Sequence, residues 1–364
     1  MNFDLSEAQE LFQTTTERFT HNIDVAARTK IRSHPMGYDR ARWTDLCELG
    51  LVAVAATQDQ GGLEGSHIDL SVIAEAMGTN NALDPWLENG YFPAALLSKT
   101  DKNDILESLM DGSKMAAVAF AEPGARYELT PRHTQATKLE DGSGYQISGE
   151  KQFIMGGALA DLLLITANYQ DDFVVFCLPA DSDDIETRNY RLADGSIGTA
   201  IKLKQVNVAN DALINLSFEQ FNDVVAEVCL LSCCEIVGLS QLLLNQTLDY
   251  VKDRKQFDVP IGSFQVIQHG LVDCYSELEQ MRGLLLRALL MDSSNTKQWR
   301  ANVMGTKSFI SDGANLIAEK SVQYHGAMGI TDEVAVGHAM KRIILLSRLF
   351  GDSTTNLKEY MEYV

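Results

Sequence analysis

The spacing of apolar residues changes twice along this chain, and that double change limits the fold more than any single motif does. Up to about residue 115 apolar side chains recur every three or four positions, the period of a helix face. From about 116 the period shortens toward two, and from about 218 the helical period returns and holds to the end. No internal repeat, low-complexity tract or flexible linker breaks the pattern, and the strands follow one another too closely for βαβ units. The expected fold is therefore mainly α with inserted β. It has an N-terminal α-helical domain over 1–115, a middle β-barrel domain over 116–215 and a C-terminal four-helix bundle over 216–364. The two helical blocks are expected to pack together around the insertion.

Local signals mark the elements. Ser6 with Gln9 forms a capping box for a helix bearing Leu11, Phe12 and Phe19, and a second helix carries Trp43, Leu46, Leu49 and Leu51. Gly61, Gly62 and Gly65 make a loop before the periodic stretch Ile68–Met77, and no strand precedes them as a dinucleotide fingerprint requires. In the β block, MAAVAF, YQISGEKQFIM, DLLLITA, DFVVFCLP and AIKLKQVNV read as strands, with Asp141-Gly142 and Asp194-Gly195 as turns. Closing such a sheet on itself is one way to hide its edges, hence the expected barrel. Later helical patterns run at roughly 218–252, 263–292, 297–322 and 335–350.

A length of 364 residues suits two or three domains, and 50 acidic against 30 basic residues leave a net charge of −20. That balance argues against nucleic acid and anionic membrane as partners, since phosphate binding needs clustered cations. The start, MNFDLSEAQELF, has no cationic region followed by an apolar stretch, and no apolar run reaches the roughly 18 residues of a membrane span. A cytoplasmic soluble protein is expected. The six cysteines, Cys47, Cys177, Cys229, Cys233, Cys234 and Cys274, form no Cys-x-x-Cys pair, so neither a disulfide nor a metal site is expected.

Two segments carry chemistry that core packing would not ask for. Arg254 to His269, RKQFDVPIGSFQVIQH, gathers a guanidinium, an aromatic ring, a Pro-Ile turn and two side-chain amides at a helix junction. A bidentate guanidinium beside a ring suits a large, flat, anionic ligand. Gln323, Gly326, Ala327 and Gly329 lie in a turn of small residues that lets backbone amides approach an anion.

Together with AEPGARY at 121–127, QISGEKQFIMGGALAD at 146–161 and QYHGAMGITDEVAVGH at 323–338, the Arg254 segment gives four ordered motifs. In order and spacing the chain resembles the acyl-CoA dehydrogenase flavoenzyme superfamily over essentially its whole length. Within it, the chain is most similar to the pimeloyl-CoA dehydrogenase small subunit and to steroid-side-chain acyl-CoA dehydrogenase subunits. The resemblance implies FAD as cofactor. Arg254 would bind its pyrophosphate, usually across a subunit boundary, with Phe257 against the adenylate half and Phe264, Gln265 and Gln268 beside it. Gln323, Gly326, Ala327 and Gly329 would form the other half of this cradle, with Gly326-Ala327 where two glycines are usual.

Ala121, Glu122, Phe153 and Met155 would lie along the isoalloxazine ring. Ala121 stands where threonine is common and Met155 where serine or threonine is common, so two hydroxyl donors are lost. An altered flavin potential or weaker flavin binding is expected.

The family's base is a glutamate from one of two places. At one, Gly351 stands in its position and Asp352 follows. At the other, Val228 stands in its position with Glu227 before it, about 100° away on a helix. Asp352 is the leading internal candidate, Glu227 the lesser, and Asp352 can equally brace its loop. Glu235, a charge in an apolar stretch, is expected to make a buried hydrogen bond.

Two functions follow from the resemblance. One is an FAD-dependent acyl-CoA dehydrogenase that oxidises an acyl-CoA thioester and passes electrons to electron-transfer flavoprotein. The other is a subunit that completes an FAD site while a homologous second chain supplies the glutamate. A flavin-dependent oxidase or an oxygenase on the same fold is a third reading. Family members are usually dimers or tetramers, so assembly is expected.

Overall fold

The computed structural model describes residues 4–21 and 25–363. The helices of the first part are α1 (Glu7–Thr20), α2 (Val25–Ser33), α3 (Arg40–Glu48) and α4 (His67–Thr79), then a π-helical turn Trp86–Tyr91, α5 (Phe92–Leu97) and α6 (Asn103–Met110). The expected capping box is present at α1, where Ser6 and Gln9 each satisfy the other's backbone N–H. The strands are β1 (Ala116–Ala119), β2 (Gln135–Lys138), β3 (Gly144–Met155), β4 (Leu162–Tyr169), β5 (Asp172–Pro179), β6 (Ile185–Arg191), β7 (Ile197–Ala209) and β8 (Leu213–Ile214). Then follow α7 (Phe218–Asp253), a small hairpin of β9 (Lys255–Gln256) and β10 (Val259–Pro260), and α8 (Gln265–Leu290). The chain closes with α9 (Thr296–His325), α10 (Ala335–Leu346) and α11 (Ser353–Tyr363).

Two compact units result. One comprises Ile31–Gly65 and Asp84–Val228; the other comprises Met1–Lys30, Ser66–Leu83 and Cys229–Val364.

The first unit is built on a mixed sheet in the order β6-β7-β3-β2-β4-β5-β8, with β1 parallel to β4. This corrects the expected barrel: β6 and β8 each pair on one side only, so the sheet stays open. Its edges are managed by other means. β8 has two residues, and β6, IETRNYR, is mostly exposed and carries Glu186, Arg188 and Arg191, which discourages pairing with another strand. One face buries Ala117, Ile147, Ile165, Phe176, Ile201 and Leu203. Before the sheet, Trp86 Nε1 donates to the Leu51 carbonyl at 2.7 Å, while Tyr38 and Arg42 both donate to the buried Asp84 carboxylate.

In the second unit α4 crosses α7 at paired glycines. A Cβ on Gly78 would lie 2.1 Å from the Glu235 carbonyl oxygen, and one on Gly238 would lie 2.3 Å from that of Glu75. Only bare backbone fits at such a crossing. Nearby Glu235 accepts two hydrogen bonds from Arg342 of α10, at 2.6 and 3.1 Å. The α9 helix touches α8, α10 and α11. The expected bundle of four helices gains a fifth here. The pattern read to 350 ends at Leu346, Gly351 breaks the chain with φ +120°, and α11 follows. By length and composition α7 alone among the described helices could cross a bilayer, yet 83% of its most apolar window is buried in the protein, as in a core helix.

Candidate functional site

The Arg254 segment starts where α7 stops. The Arg254 N–H still donates to the Tyr250 carbonyl in helical fashion, while its own carbonyl accepts from Ile261 N–H at 2.8 Å. Between them the β9–β10 hairpin turns over Phe257 and Asp258, both left-handed at φ +54° and +65°. Phe257 stands 87% exposed at the tip, edge-on to Phe264 at 6.2 Å. Arg254, Gln265 and Gln268 are exposed as well. Gln268 Nε2 donates to the Gly262 carbonyl, which braces the turn before α8. No side chain caps the α8 N-terminus, so its first N–H groups remain available to an anion.

The α9 helix ends in the other small-residue turn. Gly326 adopts φ +60°, ψ −137°, a region open only to glycine, and a Cβ there would meet nothing within 4 Å. Its glycine is thus set by backbone shape and not by crowding. Ala327 lies in the 3-10 turn Gly326–Ile330 without left-handed backbone, so alanine suits it. Gly329 is different: its Cβ would press to 2.8 Å on the Val322 carbonyl. Gln323, Gly326 and Ala327 are exposed and Gly329 is buried. The donor set fits a flavin dinucleotide: a guanidinium and open helix N–H groups for the pyrophosphate, an exposed ring for an aromatic base, and amides for polar edges.

In the sheet unit, Glu122 is 1% exposed and accepts from the backbone N–H groups of Arg132, His133 and Thr134 at 2.7–2.9 Å and from Lys151 Nζ at 3.0 Å. Burial alone would raise its pKa, but hydrogen bonds from Thr134 and His133 and the Lys151 ammonium outweigh that and hold it at about 2. Lys151 also donates to Thr166 Oγ1 and to the Phe120 carbonyl, and burial pulls it down to about 8 against the pull of Glu122. The carboxylate therefore wraps the segment 120–134 around itself. Gln152 donates from its backbone to the Ala121 carbonyl and from its side chain to the Glu122 carbonyl, joining that segment to β3.

Beyond Gln152 the β3–β7 register slips, and Phe153 takes φ +55° while its N–H donates to the Tyr190 hydroxyl. Met155 is buried, and Asn89 donates to the Gly156 carbonyl at 3.1 Å. Ala121, Glu122 and Phe153 are thus brought together through Gln152, and Met155 follows two residues further along β3 against Gly198 of β7. Lys151, Tyr190 and Asn89, which hold them, escaped the sequence reading. Only Lys151 left a signal, as a cation at the inward-facing parity set by Ile147.

Each candidate carboxylate has an occupation. Glu227 Oε2 accepts from the Tyr91 hydroxyl at 2.9 Å, and burial followed by the Glu227 charge raises the Tyr91 pKa, so the phenol stays neutral. Val228 is 1% exposed. Asp352 Oδ1 accepts from Thr355 N–H at 2.9 Å, as a cap of α11. At Gly351 a Cβ would lie 2.3 Å from Asn356 Oδ1, and Asn356 Nδ2 donates to the Gly351 carbonyl. The buried Lys307 ties this loop down through the Leu346 carbonyl, and Ser308 does so through that of Ser353.

The N-terminal, middle and C-terminal domain models of acyl-CoA dehydrogenase match residues 6–84, 117–206 and 226–360 in turn. The chain is 25% identical to the probable acyl-CoA dehydrogenase YngJ of Bacillus subtilis over 98% of its own length and 97% of that protein's. Its fold is shared with a chain of the ChsE4-ChsE5 complex of Mycobacterium tuberculosis, at 20% identity and TM-score 0.88, covering 100% of this chain and 98% of that one. It is shared also with an acyl-CoA dehydrogenase of Bacillus anthracis complexed with FAD, at 20% identity and TM-score 0.88, covering 97% of this chain and 66% of that one. Matched in order by all three domain models, the chain belongs to the acyl-CoA dehydrogenase family.

Proposed function

We propose that this chain is a subunit of an FAD-dependent acyl-CoA dehydrogenase, contributing flavin-holding elements while a homologous second chain contributes the base. The observation that carries this is the Gly351 loop. Abstraction of the α-proton of an acyl thioester needs a carboxylate within hydrogen-bond reach of that carbon. Gly351 has no side chain to offer, its φ of +120° disfavours any, and Asn356 fills the space a Cβ would take. Glu227 is held by Tyr91, and Asp352 caps a helix. The elements assigned here to the flavin are open by contrast, which supports the reading: Arg254, Phe257, Gln265, Gln268 and Gln323 are all exposed.

FAD, when bound, supplies the hydride acceptor. Arg254 and the α8 N-terminus would hold its pyrophosphate, Phe257 would lie on the adenine, and the Ala121–Glu122 and Phe153–Met155 segments would border the isoalloxazine. That Phe257 stands at the tip of an exposed hairpin supports contact across a subunit boundary. The relative solved as a complex of two named chains, ChsE4 and ChsE5, supports a partner of the same family. Electron-transfer flavoprotein is the expected electron acceptor, and an acyl-CoA thioester the substrate.

The alternative is catalysis by this chain alone with Asp352 as base, and its support is that Asp352 follows Gly351 directly. Purification of the chain by itself separates the two. On the proposed reading it dehydrogenates no thioester in a broad panel and gains activity only with a second family member bearing the glutamate. A yellow homotetramer that is active alone and loses activity on Asp352→Asn would overturn it.

A further inference from the structure

The flavin-holding elements named above come from three helix ends: the end of α7 with Arg254, the start of α8 with Gln265 and Gln268, and the end of α9 with Gln323 and Gly326. Among the described residues, no hydrogen bond or ion pair joins the side chains of Arg254, Gln265, Gln268 and Gln323 to one another. Two aromatic contacts from consecutive residues of α9 set the distances between these ends.

His325, 6% exposed, stacks on Tyr250 of α7 with ring centroids 4.3 Å apart and planes 23° apart. The Tyr250 hydroxyl also donates to the His325 carbonyl at 3.4 Å, and the His325 ring is fixed by Nδ1–H donating to the Ser321 carbonyl at 2.8 Å. Tyr250 lies one helical turn before Arg254, whose N–H bonds to its carbonyl, and His325 directly precedes Gly326. This stack therefore fixes the Arg254 end against the Gly326 turn.

Tyr324, the residue before, projects the other way into a notch on α8. A Cβ on Gly270 would lie 1.8 Å from the Tyr324 hydroxyl and 3.1 Å from its Cζ. Gly270 is five residues beyond Gln265 on the same helix. Its lack of a side chain lets the phenol seat and fixes the start of α8 against the end of α9. In the run Gln323-Tyr324-His325-Gly326, an exposed amide and a glycine turn thus flank two rings that grip the neighbouring helices.

We infer that Tyr250, Tyr324 and the notch at Gly270 are positioning residues that keep the dinucleotide cradle assembled before any ligand arrives. Such preorganisation raises affinity by removing the ordering that binding would otherwise require. The inference rests on the flavin reading of these elements.

Glycine-to-alanine substitution provides the test, because inside a helix it ordinarily raises stability. The full-length chain, by itself and with a homologous second chain, is titrated with FAD, followed by flavin fluorescence, and its thermal midpoint is measured without ligand. Gly270→Ala must push Tyr324 out of its seat and is expected to weaken FAD binding at least tenfold without a matching loss of folding. Gly283→Ala, on the same helix where a Cβ meets nothing within 4 Å, should raise the midpoint and leave FAD affinity unchanged. Pairing Gly270→Ala with Tyr324→Phe removes the clashing oxygen and should restore most of the affinity. Tyr250→Leu should weaken FAD binding, and Tyr250→Phe should not.

Wild-type affinity in Gly270→Ala and Tyr250→Leu would overturn the inference and leave the flavin reading intact. Failure of the wild-type chain to bind FAD with or without a partner would sink the flavin reading itself.

Discussion

Gly351 and Asn356 together determine what the C-terminal loop can do. With φ +120° at Gly351 and a Cβ only 2.3 Å from Asn356 Oδ1, Gly351→Ala should cost about 2 kcal/mol of stability, measurable by urea unfolding. Gly351→Glu alone is expected to destabilise the chain similarly and to give no dehydrogenase activity on any thioester. Pairing it with Asn356→Gly opens the space and should recover part of the lost stability; a fully active Gly351→Glu single variant would contradict this account.

The Glu122–Lys151 pair makes a second prediction, on pH. The folded pKa of Glu122, about 2, lies below the ordinary carboxylate value of 4.5, so the stability it contributes is present above about 4.5 and lost as pH falls toward 2. Glu122→Gln should therefore flatten the loss of stability on acidification in that window. Lys151→Met, leaving a buried carboxylate without its cation, should cost about 3 kcal/mol at neutral pH. The chemistry of this pair was only half legible in the sequence. Glu122 stood out in its motif, whereas Lys151 is revealed by its inward parity on β3, which matters only once the strand's buried face is known.

The β9–β10 hairpin shows why some elements stayed hidden. A two-residue turn with both φ values positive is normally Asn-Gly or Asp-Gly, and Asp-Gly also marks the turns at Asp141-Gly142 and Asp194-Gly195, where the glycine alone of the pair is left-handed. Here the turn residues are Phe257 and Asp258, neither of them glycine, so the segment read only as a Pro-Ile turn. Left-handed backbone in such residues is strain, and strain at a ligand clamp is tolerated where surrounding structure enforces it. Asp258→Gly should relieve it, raising stability by about 1 kcal/mol in thermal or urea unfolding. An unchanged or lowered midpoint would mean that the Asp258 side chain contributes something the turn geometry does not explain. The same logic covers α11, which lies beyond a glycine break and carries Leu357 and Met361 on its exposed side, so no buried stripe announced it. The open sheet was illegible for another cause: strand periodicity gives the faces of strands but not which two of them end as edges.

A net charge of −20 bears on assembly. Two copies of the chain repel each other at long range, and salt screens that repulsion, the screening length falling from about 10 Å at 0.1 M to about 3 Å at 1 M. Self-association of this chain should therefore strengthen with ionic strength, assisted by apolar side chains left exposed on α8, among them Val272, Tyr275, Leu286 and Leu290. A homologous partner with a less acidic surface has no such barrier, and its pairing with this chain should hold or weaken as salt rises. Light scattering of the chain alone and with a candidate partner, over a range of salt, separates the two cases by the sign of the dependence. A chain that forms a stable tetramer by itself at low salt, with the same affinity at high salt, would show that its charge does not steer partner choice.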